Sequence, residues 1–346
     1  MRTSALQSST QFVTLGMRSA YSAIFLREAQ VGVIMDHGLR MFEAHQRAER
    51  TGEPRLEEQR SRDGRVQKPN HDHTETITMK TATSRDGTGI AYDELGGGPP
   101  VVLVGGAMNT RSFGPNGSLA ELLTERFTVI NYDRRGRGDS GDTAPYSVER
   151  EIEDLDALIE ATGGSACVFG ISSGAALALE AANRGLAIEK LALYEAPFVV
   201  DDSRPPVPDD YLVRLEGLVA SGRRGDAVRL FMREGVGLPA VFVALMRLMP
   251  AWSKLKAVAH TLPYDAAIVD DYQKGEPLPT ERWTSVTMPT LVAVGGKSPD
   301  WMRHAMRALA DVLPDAKHTI LEGQTHIVKA EALAPVLVEF FERKAK

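Results

Sequence analysis

Short apolar runs alternate with helical patterns along most of the chain, and this alternation narrows the choice of fold more than any other feature. Six runs predict strands: Val101–Val104, Phe127–Tyr132, Ala166–Ile171, Lys190–Tyr194, Thr290–Val294 and His318–Leu321. Most are apolar throughout, as strands of a parallel sheet are when helices cover both faces. Helical patterns lie at Leu119–Arg126, Val148–Ala161, Ser173–Arg184, Trp301–Leu313 and Pro335–Lys344. The alternation predicts an α/β fold with a mostly parallel, doubly wound sheet.

Residues 1–78 differ from the rest of the chain. The segment Glu43–Pro69 is dense in Arg, Glu and Gln, a composition that buries little apolar surface. From Met79 the sequence instead predicts a strand, a turn at Asp86-Gly87 and a second strand at Gly89–Asp93. With the six runs above, these make eight strands. We therefore expect residues 1–78 to be a flexible, dispensable extension.

A long interruption separates the sixth predicted strand from the seventh. Between Pro197 and Met288 lie about 90 residues with few strand patterns, too many for a loop. Helical patterns occur at Asp209–Val219, Asp226–Glu234 and Ala240–Met249. We expect a helical cap at residues 200–286, which divides the core into residues 79–199 and 287–346.

Composition and charge exclude several classes of protein. A net charge of −6 argues against nucleic-acid binding, which normally requires a basic face. No apolar run reaches the ~18 residues of a membrane span. Cys167 is the single cysteine, so no disulfide framework is possible and a reducing, cytoplasmic location is expected. The acid-free, serine-rich start of the chain superficially resembles a transit peptide, whereas a secretory signal is not favoured.

The segment Gly170-Ile-Ser-Ser-Gly174 matches the pattern G-x-S-x-G, with Ser172 at the serine position. In a nucleophile elbow this serine occupies a sharp turn between a strand and a helix, and flanking glycines avoid side-chain collisions. Here the motif follows the apolar run Ala166–Ile171 and opens an alanine-rich helix. This context favours Ser172 as a catalytic nucleophile.

From about Met79 to Phe341 the sequence resembles the α/β-hydrolase superfamily. Val101-Val-Leu-Val-Gly-Gly-Ala107 is similar to the strand and turn that supply half of the oxyanion hole in that superfamily. The resemblance implies that the backbone N–H groups of Ala107 and Ser173 are the oxyanion donors. It also implies a histidine after the last strand, where Glu322-Gly-Gln-Thr-His326 stands.

The segment Asn131–Ser140 resembles the loop after strand 4 of the same superfamily, which is structural as a rule. It contains Arg134, Arg135 and Arg137. Arginines clustered at a turn are more often solvated than they are part of an anion site. We therefore expect these three side chains to be exposed.

Elimination among the eight histidines also points to His326. Four of them lie in the extension: His37, His45, His71 and His73. Of the others, His260 falls in the expected cap, His304 in a predicted helix and His318 at the start of a strand. Only His326 lies on a loop after the C-terminal end of a strand, in the Ser-before-His order of this fold. His326 is therefore predicted to be the general base.

The acid of the triad has several candidates. The superfamily most often carries aspartate in a G-x-x-D turn after strand 7, but here the turn reads Gly295-Gly-Lys-Ser298. A hydroxyl cannot stabilise imidazolium as a carboxylate does. Some relatives, including certain haloalkane dehalogenases, place the acid after strand 6, where this chain has Glu195. We favour Glu195 as the acid, with Asp300 as the alternative. If Asp300 is not the acid, we expect it to be the N-cap residue of the next helix. Asp201 and Asp202 are further candidates.

Together these residues predict a serine hydrolase that cleaves a small ester-like acyl substrate through a Ser-His-acid triad and an acyl-enzyme. Serine at the elbow argues against the dehalogenase and epoxide-hydrolase chemistries of this fold, which use aspartate. A thioesterase, lactonase or C–C bond hydrolase would use the same triad, and a non-catalytic ligand receptor is an alternative of another class. No motif indicates a metal or organic cofactor, and the oligomeric state is left open.

The expected substrate is an apolar acyl or aromatic ester. Five large side chains of the expected cap bear on this expectation: Met232, Phe242, Met246, Met249 and Trp252. Core packing is the commoner use of such residues, and pocket lining is the alternative.

Removal of residues 1–78 should leave a folded and active protein, because every predicted strand and every candidate catalytic residue lies from Met79 onward. A chain that starts at Met79 should melt cooperatively by circular dichroism and keep the turnover of the full-length chain. Loss of the cooperative transition would instead make the stretch Phe25–Phe42 a docking or dimerisation element.

Overall fold

A computed structural model of the chain describes residues 79–343, so the predicted extension at residues 1–78 lies outside the described residues. The strands are β1 (Met79–Thr83), β2 (Gly89–Leu95), β3 (Pro100–Val104), β4 (Thr128–Tyr132), β5 (Ala166–Ile171), β6 (Ile188–Tyr194), β7 (Thr290–Gly295) and β8 (Ala316–Leu321). They form one sheet in the order β1-β2-β4-β3-β5-β6-β7-β8. β2 pairs antiparallel with β1 and β4, and all other neighbours are parallel. The mostly parallel sheet predicted from the sequence is confirmed.

Helices follow most of the strands, as the alternation predicts. They are α1 (Asn116–Leu123), α2 (Val148–Ala161), α3 (Ser173–Asn183), α4 (Tyr211–Ala220), α5 (Arg224–Leu230), α6 (Ala240–Met246), α7 (Ala251–Ala257), α8 (Leu262–Val269), α9 (Asp300–Val312) and α10 (Ala330–Glu342). A π-helical turn at Phe231–Gly235 follows α5, and 3₁₀ turns at Ala259–Thr261 and Asp270–Tyr272 flank α8. Helices α4 to α8 all lie between β6 and β7, where the long interruption occurs in the sequence.

Two apolar clusters cover the two faces of the sheet. In β3, Val102 and Val104 belong to the cluster that includes α2, α3 and α9. Val101 and Leu103 belong to the other cluster, which includes α1 and α10. Because successive side chains of a strand point to opposite faces, burial on both faces requires an apolar residue at every position. This explains why the predicted strands lack polar alternation.

The last helix begins at Ala330, earlier than the predicted start at Pro335. Proline has no backbone N–H to donate within a helix and is favoured in the first turn, which is why Pro335 suggested a start. Burial of one apolar face of the helix offsets the free-energy cost of a proline in its interior. Leu333, Leu337 and Phe341 lie on that face at helical spacing, all of them buried.

The exposed arginine turn predicted at Asn131–Ser140 is wrong. Arg134, Arg135 and Arg137 are 2%, 0% and 1% exposed. Arg135 forms two bonds with Asp154 of α2, at 2.7 and 2.6 Å, while Arg134 binds both carboxylate oxygens of Glu151 at 2.7 Å. Buried charges persist only where they are paired in this way. The partners lie on other elements, so the loop sequence alone gives no sign of them.

The helices between β6 and β7 have an apolar cluster of their own. Its buried members include Tyr211, Leu215, Val228, Met232 and Leu262. Met108, from the turn after β3, is also buried in this cluster. The turn that carries Ala107 is therefore packed against helices α4 to α8, called the inserted helices below. Across residues 79–343, no helix has the length and apolar character that a membrane crossing requires.

Candidate active site

Ser172 occupies the single residue between β5 and α3. Its backbone has φ 58° and ψ −129°, outside the regions that ordinary residues favour. Both flanking glycines lie in close contacts that exclude a side chain. A Cβ atom at Gly170 would lie 2.4 Å from the Gly174 carbonyl oxygen, and one at Gly174 would lie 2.4 Å from the Val104 carbonyl oxygen. The G-x-S-x-G spacing is therefore a packing requirement of this sharp turn.

Backbone strain concentrates at one edge of the sheet. Between residues 79 and 343, the non-glycine residues with positive φ are Met108, Ser172 and Glu195, at 60°, 58° and 49°. They follow β3, β5 and β6, which are adjacent and parallel. Each such conformation costs about 1–3 kcal/mol, persists only where the surrounding structure holds it, and is concentrated at active sites and ligand-binding sites. The carboxyl edge of these strands is therefore the candidate active site.

Glu195 and His326 form the central contact of this edge. The Glu195 side chain is fully buried, and its Oε2 lies 2.8 Å from His326 Nδ1. Its Oε1 accepts the Gly295 N–H at 2.7 Å and the Ser298 hydroxyl at 2.5 Å. Three donors offset the cost of burying this carboxylate.

The loop that carries His326 is held by the strand that precedes Glu195. The Tyr194 hydroxyl donates to the Thr325 carbonyl at 2.7 Å. The His326 side chain is 33% exposed, and Glu195 binds its Nδ1. Within residues 79–343 the His326 Nε2 atom makes no hydrogen bond, to the Ser172 hydroxyl or to any other group.

The two donors implied for the oxyanion hole lie at the same edge. The turn after β3 is packed against Ser172, since a Cβ atom at Gly106 would lie 3.0 Å from Ser172 Cβ. Neither the Ala107 nor the Ser173 N–H bonds to an acceptor within residues 79–343. Unpaired N–H groups beside a strained serine can stabilise a developing oxyanion.

The other candidate acids do not meet His326. Asp300 is 66% exposed and pairs with Arg303. The helix cap suggested for Asp300 is also wrong, because Pro299 occupies that position and Asp300 begins α9. Asp201 bonds to His304 Nδ1 at 2.6 Å. Neither these two carboxylates nor that of Asp202 bonds to His326 in the described region.

Comparison with known proteins identifies the chain. The model of the alpha/beta hydrolase family matches residues 101–335, which is more than half of the sequence. The chain belongs to the alpha/beta hydrolase family. An alpha/beta hydrolase from Sphaerobacter thermophilus, known from its crystal structure, is 59% identical with a TM-score of 0.71, over 76% of this chain and 100% of that chain.

More distant relatives of this alpha/beta hydrolase are hydrolases or related enzymes. A putative non-heme bromoperoxidase from Mycobacterium tuberculosis is 27% identical over 191 residues, which are 52% of this chain and 62% of the relative. The match therefore spans less than two thirds of the relative's length. A thermophilic esterase from Thermogutta terrifontis is 22% identical with a TM-score of 0.54, over 76% of this chain and 98% of that one, and shares the fold.

Sequence reasoning missed two features of this alpha/beta hydrolase. The Ser298 hydroxyl donates a hydrogen bond to Glu195. From the sequence, Ser298 was noted only because it stands where the superfamily most often has the aspartate of its G-x-x-D turn. Asp265, on α8, is buried and accepts the hydroxyl of Ser173, the residue after Ser172, at 2.7 Å. No local pattern distinguishes Asp265 from other helical acids. Among residues 79–343, no group of three or more His, Cys, Asp or Glu side chains is arranged to hold a metal ion.

Replacement of Ser298 by alanine should lower kcat a few-fold and reduce stability by about 1–2 kcal/mol, because a buried carboxylate loses one of its donors. Urea unfolding measures the loss of stability, and turnover of a p-nitrophenyl test substrate measures the change in kcat. The Gly295 N–H remains on the same oxygen, so the loss should stay well below that of removing Glu195. An unchanged kcat together with unchanged stability would show that the hydroxyl does not support Glu195.

Proposed function

We propose that this chain is a serine hydrolase that cleaves a small ester-like substrate through Ser172, His326 and Glu195. The observation that carries the proposal is the 2.8 Å bond between His326 Nδ1 and a fully buried glutamate. This pair lies at the sheet edge where Ser172 stands on its strained turn. A buried acid, a histidine with one free nitrogen and a strained serine are the groups that nucleophilic acyl transfer requires.

Acylation begins with the serine. His326 Nε2 takes the proton of Ser172 Oγ as that oxygen attacks the substrate's carbonyl carbon. Glu195 accepts the Nδ1–H, which fixes the tautomer and stabilises the imidazolium. The N–H groups of Ala107 and Ser173 stabilise the negative oxygen of the tetrahedral intermediate. His326 then gives its proton to the leaving oxygen as the carbon–oxygen bond breaks, so an alcohol departs and an ester to Ser172 remains.

Deacylation uses the same groups with water as the nucleophile. His326 Nε2 takes a proton from the water, whose oxygen attacks the acyl carbon. The second tetrahedral intermediate uses the same two N–H donors. When it collapses, the bond to Ser172 breaks, His326 returns the proton to Oγ and the carboxylic acid leaves. Every step is a proton transfer or an acyl transfer among Ser172, His326, the substrate and water.

For the substrate we infer an apolar acyl or aromatic ester. Met108 directly follows the proposed donor Ala107 and is buried in the apolar cluster of α4–α8. Of the large side chains considered from the sequence, Met232 is also buried in that cluster. Met246 and Trp252 pack against the same cluster, and Trp252 also lines a cleft of about 600 Å³ with Arg223, Arg224 and Arg247. The turn that carries the proposed donor Ala107 is therefore backed by apolar side chains, which favours an apolar acyl group over a charged one.

A fluorophosphonate probe tests the proposed function. We expect rapid labelling of the native chain, with the adduct located on Ser172 by peptide mass spectrometry and no labelling of Ser172→Ala. A panel of p-nitrophenyl esters, matched thioesters and lactones then identifies the bond that is cleaved. A chain that binds apolar ligands but neither reacts with the probe nor hydrolyses any member of the panel would be a receptor, and the proposal would be wrong.

A further inference from the structure

Arg137 connects the turn after β3 to the inserted helices. Its side chain is 1% exposed, and each of its three nitrogens donates to an acceptor. NH1 donates to the Gly106 carbonyl at 2.7 Å and NH2 to Asp265 Oδ2 at 2.7 Å. Nε donates to the Thr261 hydroxyl at 3.1 Å. One guanidinium thus joins the turn beside Ser172 to α8 and the residue that precedes it.

The carbonyl that Arg137 binds belongs to the same peptide unit as a proposed oxyanion donor. In a planar trans peptide, the Gly106 carbonyl and the Ala107 N–H point in opposite directions. A donor that holds the carbonyl therefore also sets the direction of the N–H. The Asn109 N–H adds a second, longer bond to the same carbonyl, at 3.3 Å. Rotation of this peptide would break both bonds.

Asp265 is linked to both halves of the proposed oxyanion hole, to one directly and to the other through Arg137. Its carboxylate binds Arg137, which holds the Ala107 peptide, and it accepts the hydroxyl of Ser173, whose N–H is the other donor. Arg134 NH1 also donates to Asp265 Oδ1 at 2.7 Å. Burial alone would raise the pKa of Asp265, but attraction by Arg137 and Arg134 outweighs it and lowers that pKa. The residue is therefore an anion held between two cations.

Arg135, in the same loop as Arg137, is a buried charge that does not contact the turn after β3. It is as deeply buried as Arg137 and makes paired bonds to Asp154. Its remaining bonds go to Asp86 and to the Arg150 carbonyl. Arg135 thus fills a structural role alone, and it provides a matched control for Arg137.

We propose that Arg137, held by Asp265, is a positioning residue that directs the Ala107 N–H toward the substrate oxygen beside Ser172. A cation on the Gly106 carbonyl also polarises the peptide and strengthens its N–H as a donor. Since Asp265 belongs to α8, the inserted helices take part in forming the oxyanion hole. This inference rests on the proposed serine hydrolase function.

Two glutamine variants test the proposal with p-nitrophenyl acetate. Arg137→Gln should lower kcat by about 10- to 100-fold with KM little changed, because a misdirected oxyanion donor weakens transition-state binding alone. Arg135→Gln should lower the melting temperature at least as much and leave kcat within about threefold of the native value. Both variants are assayed well below their melting temperatures. Equal kcat values for the two variants would overturn the proposal.

Ketone inhibitors test the oxyanion hole separately from stability, because a general loss of stability would not change the ratio of their affinities. Ser172 Oγ attacks the carbonyl carbon of a trifluoromethyl ketone and forms a hemiketal, whose negative oxygen occupies the proposed oxyanion hole. The matched methyl ketone binds mainly without forming this covalent bond. Arg137→Gln should reduce the ratio of the two affinities at least tenfold, and Arg135→Gln should not. If either glutamine variant fails to fold, Arg137→Lys and Arg135→Lys are compared in the same way, since both retain the charge.

The outcomes separate this inference from the proposed function. If the native chain is not labelled by the fluorophosphonate and does not prefer the trifluoromethyl ketone, the serine hydrolase function is wrong and the inference falls with it. If the native chain shows both properties and Arg137→Gln keeps the native affinity ratio, the function stands and only the positioning role of Arg137 is overturned.

Discussion

Replacement of Ser172 by alanine should lower kcat for ester hydrolysis by about 10⁴-fold or more. The reason is that no other group stands at the turn between β5 and α3 to form the acyl-enzyme. The remaining rate should exceed that of the uncatalysed reaction, because the substitution leaves the proposed oxyanion donors Ala107 and Ser173 unchanged. Single-turnover measurements with a p-nitrophenyl ester detect both the loss and the residual rate.

The same substitution should leave the fold intact. Alanine meets the same positive φ as serine, so the strain of the turn is nearly equal in both proteins and the melting temperature should change little. Ser165→Ala is the matched control, since Ser165 immediately precedes β5 at the end opposite Ser172, and its hydroxyl bonds to the exposed Glu189. That variant should keep native activity. Near-native turnover in Ser172→Ala would exclude the serine mechanism.

Features encoded over short stretches of sequence could be predicted. The limits of β5 and α2 agree with the structure to the residue, because an apolar run and an amphipathic repeat define them locally. A short motif singled out Ser172 and position after a strand singled out His326, and their catalytic roles remain predictions. Glu195 was favoured through a resemblance, and the structure brings it to His326 across 131 residues of sequence.

Features that depend on distant partners could not be predicted. The arginines after β4 were expected in solvent because the loop sequence does not reveal Glu151, Asp154 or Asp265, which neutralise them. Ser298 was interpreted as the absence of an acid, although the structure makes it a donor to one. In both cases the local residues were correctly identified, and their environment reversed the interpretation.

Replacement of Glu195 by glutamine should lower kcat by about 10²- to 10⁴-fold, the range expected when a triad histidine loses its carboxylate and adopts the wrong tautomer. Glutamine has nearly the same shape, so the backbone at β6 should not move. Its carbonyl can still accept the Gly295 N–H and the Ser298 hydroxyl, but its amide cannot stabilise the imidazolium of His326. The melting temperature should therefore fall only slightly, and the loss should appear in kcat rather than in KM.

Asp300→Asn and a rescue variant decide whether Glu195 is the acid. Asp300 is mostly exposed and pairs with Arg303, so its replacement should leave both kcat and the melting temperature close to native. Ser298→Asp in the Glu195→Gln background returns a carboxylate to the turn where the superfamily most often carries its aspartate. Because Ser298 already contacts residue 195, this aspartate should approach His326 and restore part of the lost kcat. If Asp300→Asn inactivates the protein and Glu195→Gln does not, the acid belongs to the turn after β7 and the bond between Glu195 and His326 is only structural.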